Sequence, residues 1–188
     1  MATLHLSKHK KKAQEIGAGL IFEDEVSFRQ DPTLHQTWSR TGNQPLINVL
    51  GQRKAVKIFG CIEIYSTGFF YHRDDVFNAK TYLVYLELLA KKYFPRKIIL
   101  IQDNASYHKD SEVWAWFKSN RKWLEVHQLP PYSPDFNAAE PLWRYTRLNG
   151  THNRYFITVD ELIGTLNNVF RSIQKNPEQI KGYIASFL

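Results

Sequence analysis

Three short stretches of the 188-residue chain carry acids in settings suited to clamping a divalent cation. They are Ile21-Phe22-Glu23-Asp24-Glu25, Ile98-Ile99-Leu100-Ile101-Gln102-Asp103-Asn104, and Pro130-Pro131-Tyr132-Ser133-Pro134-Asp135-Phe136-Asn137-Ala138-Ala139-Glu140. The first two close apolar runs of strand character, and the third leads into a helix. Carboxylates are the hard oxygen ligands that Mg²⁺ accepts. A pair of such ions about 3.5–4 Å apart can split a phosphodiester, one activating the nucleophile and the other neutralising the leaving oxygen. Short aspartates on strands and a glutamate reaching in from a helix would serve that chemistry.

Each acid also has a plainer reading. Strand alternation puts Glu23 and Glu25 on one face and Asp24 on the other, so only one face serves a metal; an acid beside an edge strand can instead deter aggregation. Asp103-Asn104 could form an Asx turn. His108, five residues on, is placed to meet a phosphate or the nucleophile, as well as to do neither. With Asn137 as N-cap, Glu140 would sit at N3 of a capping box, and Arg144 stands four residues on for an ion pair. Arg144 and Arg147 share the helical face of Glu140 and would suit a phosphate backbone.

The elements that must position these groups follow from periodicity. Residues 1–18 form a basic lead around Lys8-His9-Lys10-Lys11-Lys12, read as a solvated tail in preference to a phosphate-contacting arm, with a short helix through Ile16. Leu20–Glu25 predicts a first strand, Val49–Ser66 a strand-rich stretch, and Thr67-Gly68 a tight hairpin into Phe69–His72. Tyr82, Leu83, Tyr85, Leu86, Leu89 and Tyr93 recur at helical spacing from Asn78 to Tyr93, ended by Pro95. Lys97–Gln102 has the pattern of a strand buried on both faces. A helix at Ser111–Asn120, a strand at Leu124–Leu129, and helices at Ala138–Asn149, Val159–Lys175 and Pro177–Phe187 complete the chain. The order matches a ribonuclease-H-like α/β fold over residues 19–188: a mixed five-stranded sheet flanked by helices, its first and fourth strands adjacent, each presenting an acid at one edge.

Composition narrows the class. The chain has 25 Lys and Arg against 18 Asp and Glu, a net charge of +7 that favours a polyanionic partner. Cys61 is the single cysteine, so an internal disulfide and a multi-thiolate zinc site are both excluded. No stretch approaches the ~20 apolar residues of a membrane span, and no apolar signal core follows Met1, which points to a reducing cytosol.

Taken together, the motifs resemble the DDE transposases of the mariner superfamily, in particular the bacterial insertion-sequence branch, from about Gly19 to Tyr155. The resemblance rests on Phe22-Glu23-Asp24-Glu25, Trp38-Ser39-Arg40-Thr41-Gly42-Asn43-Gln44-Pro45, Asp103-Asn104-Ala105-Ser106-Tyr107-His108, and Pro130 through Glu140 continued by Pro141-Leu142-Trp143. Asp103 and Glu140 have 36 residues between them, close to the insertion-sequence pattern. The family pattern selects Asp24 over its neighbours and implies Asp24, Asp103 and Glu140 as catalytic metal ligands. It implies Glu25, Asn104 and His108 as accessory candidates and Trp38, Arg40, Arg144 and Arg147 as DNA contacts. Further implications are Mg²⁺ or Mn²⁺, two ions when DNA is bound, and cleavage at element ends followed by transfer of the 3′-hydroxyl to target DNA at TA sites. A homodimer in the cytoplasm of a prokaryotic cell, associated with the nucleoid, also follows. Family members carry helix-turn-helix modules ahead of this core; here an upstream frame would supply them, or they are missing. Two other readings stand beside this one: another ribonuclease-H-like nuclease, such as a junction resolvase, and a catalytically idle DNA-binding or regulatory remnant.

Overall fold

The computed structural model describes residues 2–49, 51, 54–131 and 133–188, with backbone alone at 2–5. Tyr132 of the proline-rich motif, and Leu50, Gln52 and Arg53 of the stretch expected to be strand-rich, lie outside the described residues. Five strands form one mixed sheet: β1 (Gly19–Arg29), β2 (Ala55–Glu63), β3 (Gly68–Asp74), β4 (Ile98–Gln102) and β5 (Leu124–Gln128), in the spatial order β3, β2, β1, β4, β5. The first three pair antiparallel, while β4 and β5 run parallel to β1. The expected ribonuclease-H-like arrangement is therefore present, with β1 and β4 in contact through Gly19↔Ile98 to Phe22↔Ile101.

β1 is longer than Leu20–Glu25, because the alternation that begins with Leu20 and Phe22 resumes with Val26 and Phe28 beyond the acids. Those even-numbered side chains enter a core shared with α1 (Ala2–Glu15), α4 (Ala139–Thr146) and α5 (Val159–Lys175). Ile21 points the other way, against α2 (Ala79–Tyr93) and α3 (Ser111–Asn120). All five residues of β4 are buried, as expected of a strand covered by helices on both faces. α2 begins with a capping box between Asn78 and Thr81.

Two terminal segments differ from the sequence reading. The basic lead is not a solvated tail: α1 buries Ala13, packs Leu6 on the core, and ties Lys12 to Glu125 at 2.6 Å. One small apolar face sufficed to dock it, while Lys8 and Lys11 stay exposed. The helix expected over Pro177–Phe187 is broken into α6 (Glu178–Lys181) and a 3₁₀ turn at Ala185–Phe187. Gly182 lies at the break; glycine costs a helix interior about 1 kcal/mol relative to alanine, and the burial of Ile180, Ile184 and Phe187 is met without a continuous helix. No helix among the described residues is long and apolar enough to cross a membrane.

Candidate active site

β1 runs on past the end of its partner β4, and the site lies at that step. Continuing the register two residues beyond Phe22↔Ile101 brings Asp24 level with Asp103, the residue that follows β4. Asp24 is thus mid-strand, not at a strand end, and only 8% exposed. Because β1 is the central strand, the edge-protection reading of its acids does not apply.

The alternation divides the first motif as expected. Asp24 faces α4, where Trp143 Nε1 donates to its Oδ2 at 2.9 Å. Gly60 pairs with Asp24 across β2, and a Cβ there would lie 2.4 Å from the Trp143 ring. The missing side chain leaves room for the indole. Glu23 and Glu25 face the opposite layer, where Glu23 is fully buried beside Tyr82 and Glu25 accepts from His108 Nε2 at 2.9 Å.

Asp103 does form the Asx turn: its Oδ1 accepts from Ala105 N at 2.8 Å. The same oxygen lies 3.2 Å from His108 Nδ1, while the carboxyl remains 46% exposed. Asn104 donates to the Leu129 carbonyl and so ties this loop to the end of β5. Glu140 meets neither of its structural alternatives. Asn137 Oδ1 caps Ala139 N at 3.1 Å, and no capping box reaches Glu140. No ion pair joins Glu140 to Arg144, and the Glu140 carboxylate has no hydrogen-bond partner among the described residues. It is left exposed in the first turn of α4.

Asp24, Asp103 and Glu140 line one cleft of about 520 Å³, together with Asn104, Lys109 and the proline-rich loop. Burial, and then the charges of Glu25 and Glu140, hold the Asp24 carboxyl well above its usual range, with the Trp143 hydrogen bond opposing. Asp103 is held below its usual range, first by the hydrogen bond to His108. Burial alone would lower the His108 pKa, but bonds to Asp103 and Glu25 and the charge of Glu23 raise it to about 11. Oxygens of Asp24, Glu25 and Asp103 all approach within 4.8 Å of one another. The two aspartates, crowded further by Glu25, repel one another, and a divalent cation held between them relieves that repulsion.

The remaining predicted contacts are dispersed. Arg144 lines a second cleft of about 760 Å³ that shares Glu140, Asn137 and Pro134 with the first. Arg147 stacks over the Phe28 ring at 5.6 Å. Trp38 is 100% exposed and Arg40 exposed, on a segment that does not line the cleft. Two residues that shape the site were not among the sequence candidates: Lys109, which carries no signal beyond following His108, and Trp143, whose spacing of three from Glu140 puts both on one helical face.

Residues 19–163 match the family described as DDE superfamily endonuclease. The chain belongs to that family. No curated protein matches this DDE endonuclease chain significantly. Among solved structures it is similar to a pre-cleavage Mos1 transpososome (TM-score 0.65, 20% identity, covering 99% of this chain and 60% of that one). It is likewise similar to the Mos1 mariner paired-end complex with Mn (TM-score 0.64, 20% identity, 99% and 60%). For the Mos1 transposase catalytic domain with Raltegravir and Mn, the TM-score is 0.60 at 19% identity, with coverage of 99% and 90%. The chain therefore spans about 60% of the length of the Mos1 chains in those complexes and most of the catalytic domain. At these identities the likeness shows the ribonuclease-H-like DDE fold.

Proposed function

We propose that this DDE endonuclease chain is the catalytic domain of a DNA transposase of the bacterial insertion-sequence branch. It cuts strands at element ends and joins the freed 3′-hydroxyl to target DNA at TA sites. The observation that carries the reading is the meeting of Asp24, Asp103 and Glu140, from β1, the turn after β4, and α4, in one cleft. The Mos1 structures, which hold transposon ends and Mn or Mg, support the extension to DNA and divalent metal.

Mg²⁺ or Mn²⁺, two ions when DNA is bound, would supply the Lewis acidity that activates a nucleophilic oxygen and neutralises the leaving one. Asp24, Asp103 and Glu140 would hold them. Trp143 fixes the rotamer of Asp24, the Asx turn and His108 fix Asp103, and Glu140, which has no hydrogen-bond partner among the described residues, lines the same cleft. Lys109 and Arg144 flank the acids and would hold backbone phosphates, contacts that position a strand without reading its sequence. Trp38 and Arg40, on their exposed segment, would touch DNA outside the cleft, and Arg147 would reach the backbone only by leaving Phe28. The protein works as a homodimer on the nucleoid of a prokaryotic cell.

Incubation with supercoiled plasmid and with oligonucleotides bearing the element ends, in Mn²⁺ and in EDTA, tests the reading. Metal-dependent nicks with 3′-hydroxyl ends, followed by joined products, are expected. Metal-dependent cutting without joining would assign another nuclease, and no cutting under any metal would assign an idle remnant.

A further inference from the structure

Behind the cleft, a buried polar cluster joins the two strands that present the aspartates. His108 is completely buried on the short 3₁₀ turn Ser106–Lys109, and both its ring nitrogens face carboxylates. Nδ1 bonds the Asp103 main-chain carbonyl at 3.2 Å and stands 3.2 Å from Asp103 Oδ1, and Nε2 stands 2.9 Å from Glu25 Oε1, with Glu23 Oε2 farther off at 3.9 Å. Tyr82 and Tyr107 pack on the ring at 4.4 and 4.8 Å between centroids, fixing its plane. Tyr82 is fixed in turn, donating to Gln102 Oε1 at 2.6 Å. The ring thus spans from β1 to the residue just after β4, at the level where the backbone ladder between those strands has ended.

Carboxylates this close repel each other, and the ladder between β1 and β4 ends at Phe22↔Ile101, short of the level of these acids, so it does not set their separation. A side chain that bonds Glu25 through Nε2 and the main-chain carbonyl of Asp103 through Nδ1, with the Asp103 carboxylate equally near, supplies the missing tie. It cannot reach substrate from its buried position, so whatever it does for the cleft it does through Asp103 and Glu25.

We propose that His108 is a positioning residue: by holding Glu25 and Asp103 at once, it fixes the spacing at which Asp24 and Asp103 meet a cation, and Glu25 is its anchor and not a metal ligand. The inference rests on the reading of the cleft as a metal centre. It departs from a role for His108 at the phosphate or nucleophile, and it gives the acid beside Asp24 a task of its own. Groups that orient metal ligands from behind typically change metal affinity about 10–100-fold when removed.

Calorimetric titration of the metal-free chain with Mn²⁺, beside thermal melts in EDTA, tests the proposal. His108→Ala and Glu25→Ala should each weaken Mn²⁺ binding by about tenfold or more. His108→Asn, which keeps a donor where Nδ1 stands, should recover part of the loss. Glu25→Gln keeps an acceptor for Nε2 and should bind Mn²⁺ nearly as the wild type does. Folded His108→Ala protein with wild-type affinity would overturn the positioning role, and a Glu25→Gln loss as large as that of Glu25→Ala would make Glu25 a ligand. Should His108→Ala fail to fold, the Glu25 pair and His108→Asn still decide between these outcomes. Nicking by the wild type is read separately: a wild type that nicks, with variants that bind Mn²⁺ normally, sinks this inference alone. A wild type that neither binds Mn²⁺ nor nicks sinks the functional reading and this inference with it.

Discussion

The indole of Trp143 donates to Asp24 from 119 residues away, at 2.9 Å, through the gap left where β2 carries Gly60 opposite Asp24. This contact joins the helix that bears Glu140 to the strand that bears Asp24. Since Trp143 is buried and packs edge-on against Phe28 and Phe69, the indole is held by the core, and the carboxylate is held by the indole.

Trp143→Phe keeps most of the ring packing and removes the N–H. A buried carboxylate oxygen then loses its partner, at a cost of about 1–3 kcal/mol. Chemical denaturation should show that loss, and titration with Mn²⁺ should show weaker binding because Asp24 is free to rotate. Unchanged Mn²⁺ affinity would mean that the contact serves the fold alone.

Gly60→Ala should be more damaging than its size suggests. The new methyl would meet the Trp143 ring at 2.4 Å, forcing the indole away from Asp24 at a cost of about 1–3 kcal/mol. Gly164→Ala in α5 is the control, since nothing lies within 4 Å of the added atom. There the melting temperature should rise, because alanine favours a helix by about 0.5–1 kcal/mol over glycine. Equal melting of the two variants would remove the steric argument.

The pH dependence of the metal-free fold should carry the signature of His108. Its pKa rises from 6.5 unfolded to about 11 folded, so the folded state holds a proton that the unfolded state has lost between those values. The stabilisation is complete below about pH 6.5 and drains away as pH climbs through about 11. Melts of the wild type and His108→Asn near pH 6, 8 and 10 should converge as pH rises. A gap that stays constant or widens would show that the ring is not charged between its two carboxylates.

Glu140→Gln should separate chemistry from stability. Glu140 is exposed and has no partner among the described residues, so its neutral isostere should shift folding by no more than about 0.5 kcal/mol. Nicking in Mn²⁺ should fall below detection beside an active wild type. Retained nicking would remove Glu140 from the metal set.

Much of this was legible in the chain because it is local. The burial of β4 on both faces, the helical spacing of α2, and the split of Asp24 from Glu23 and Glu25 all follow from period-two or period-3.6 patterns. What escaped was tertiary. No local signal pairs Trp143 with Asp24, or His108 with Glu25 across 83 residues. α1 looked like a tail because its docking face is as small as Ala13 and Leu6. The capping box at Glu140 was a sound local inference that lost to geometry: Asn137 bonds Ala139, one residue short of it.

Anomalous scattering from crystals grown with Mn²⁺ tests the central claim most directly, because it locates the ion without reference to activity. A peak is expected in the cleft within coordination distance of Asp24 and Asp103, with Glu140 turned toward it and Glu25 still bound to His108. A peak seated instead among Glu23, Glu25 and His108, a second group among the described residues whose ligand atoms lie within 4.8 Å of one another, would contradict that claim. So would a cleft that stays free of Mn²⁺ at saturating concentration.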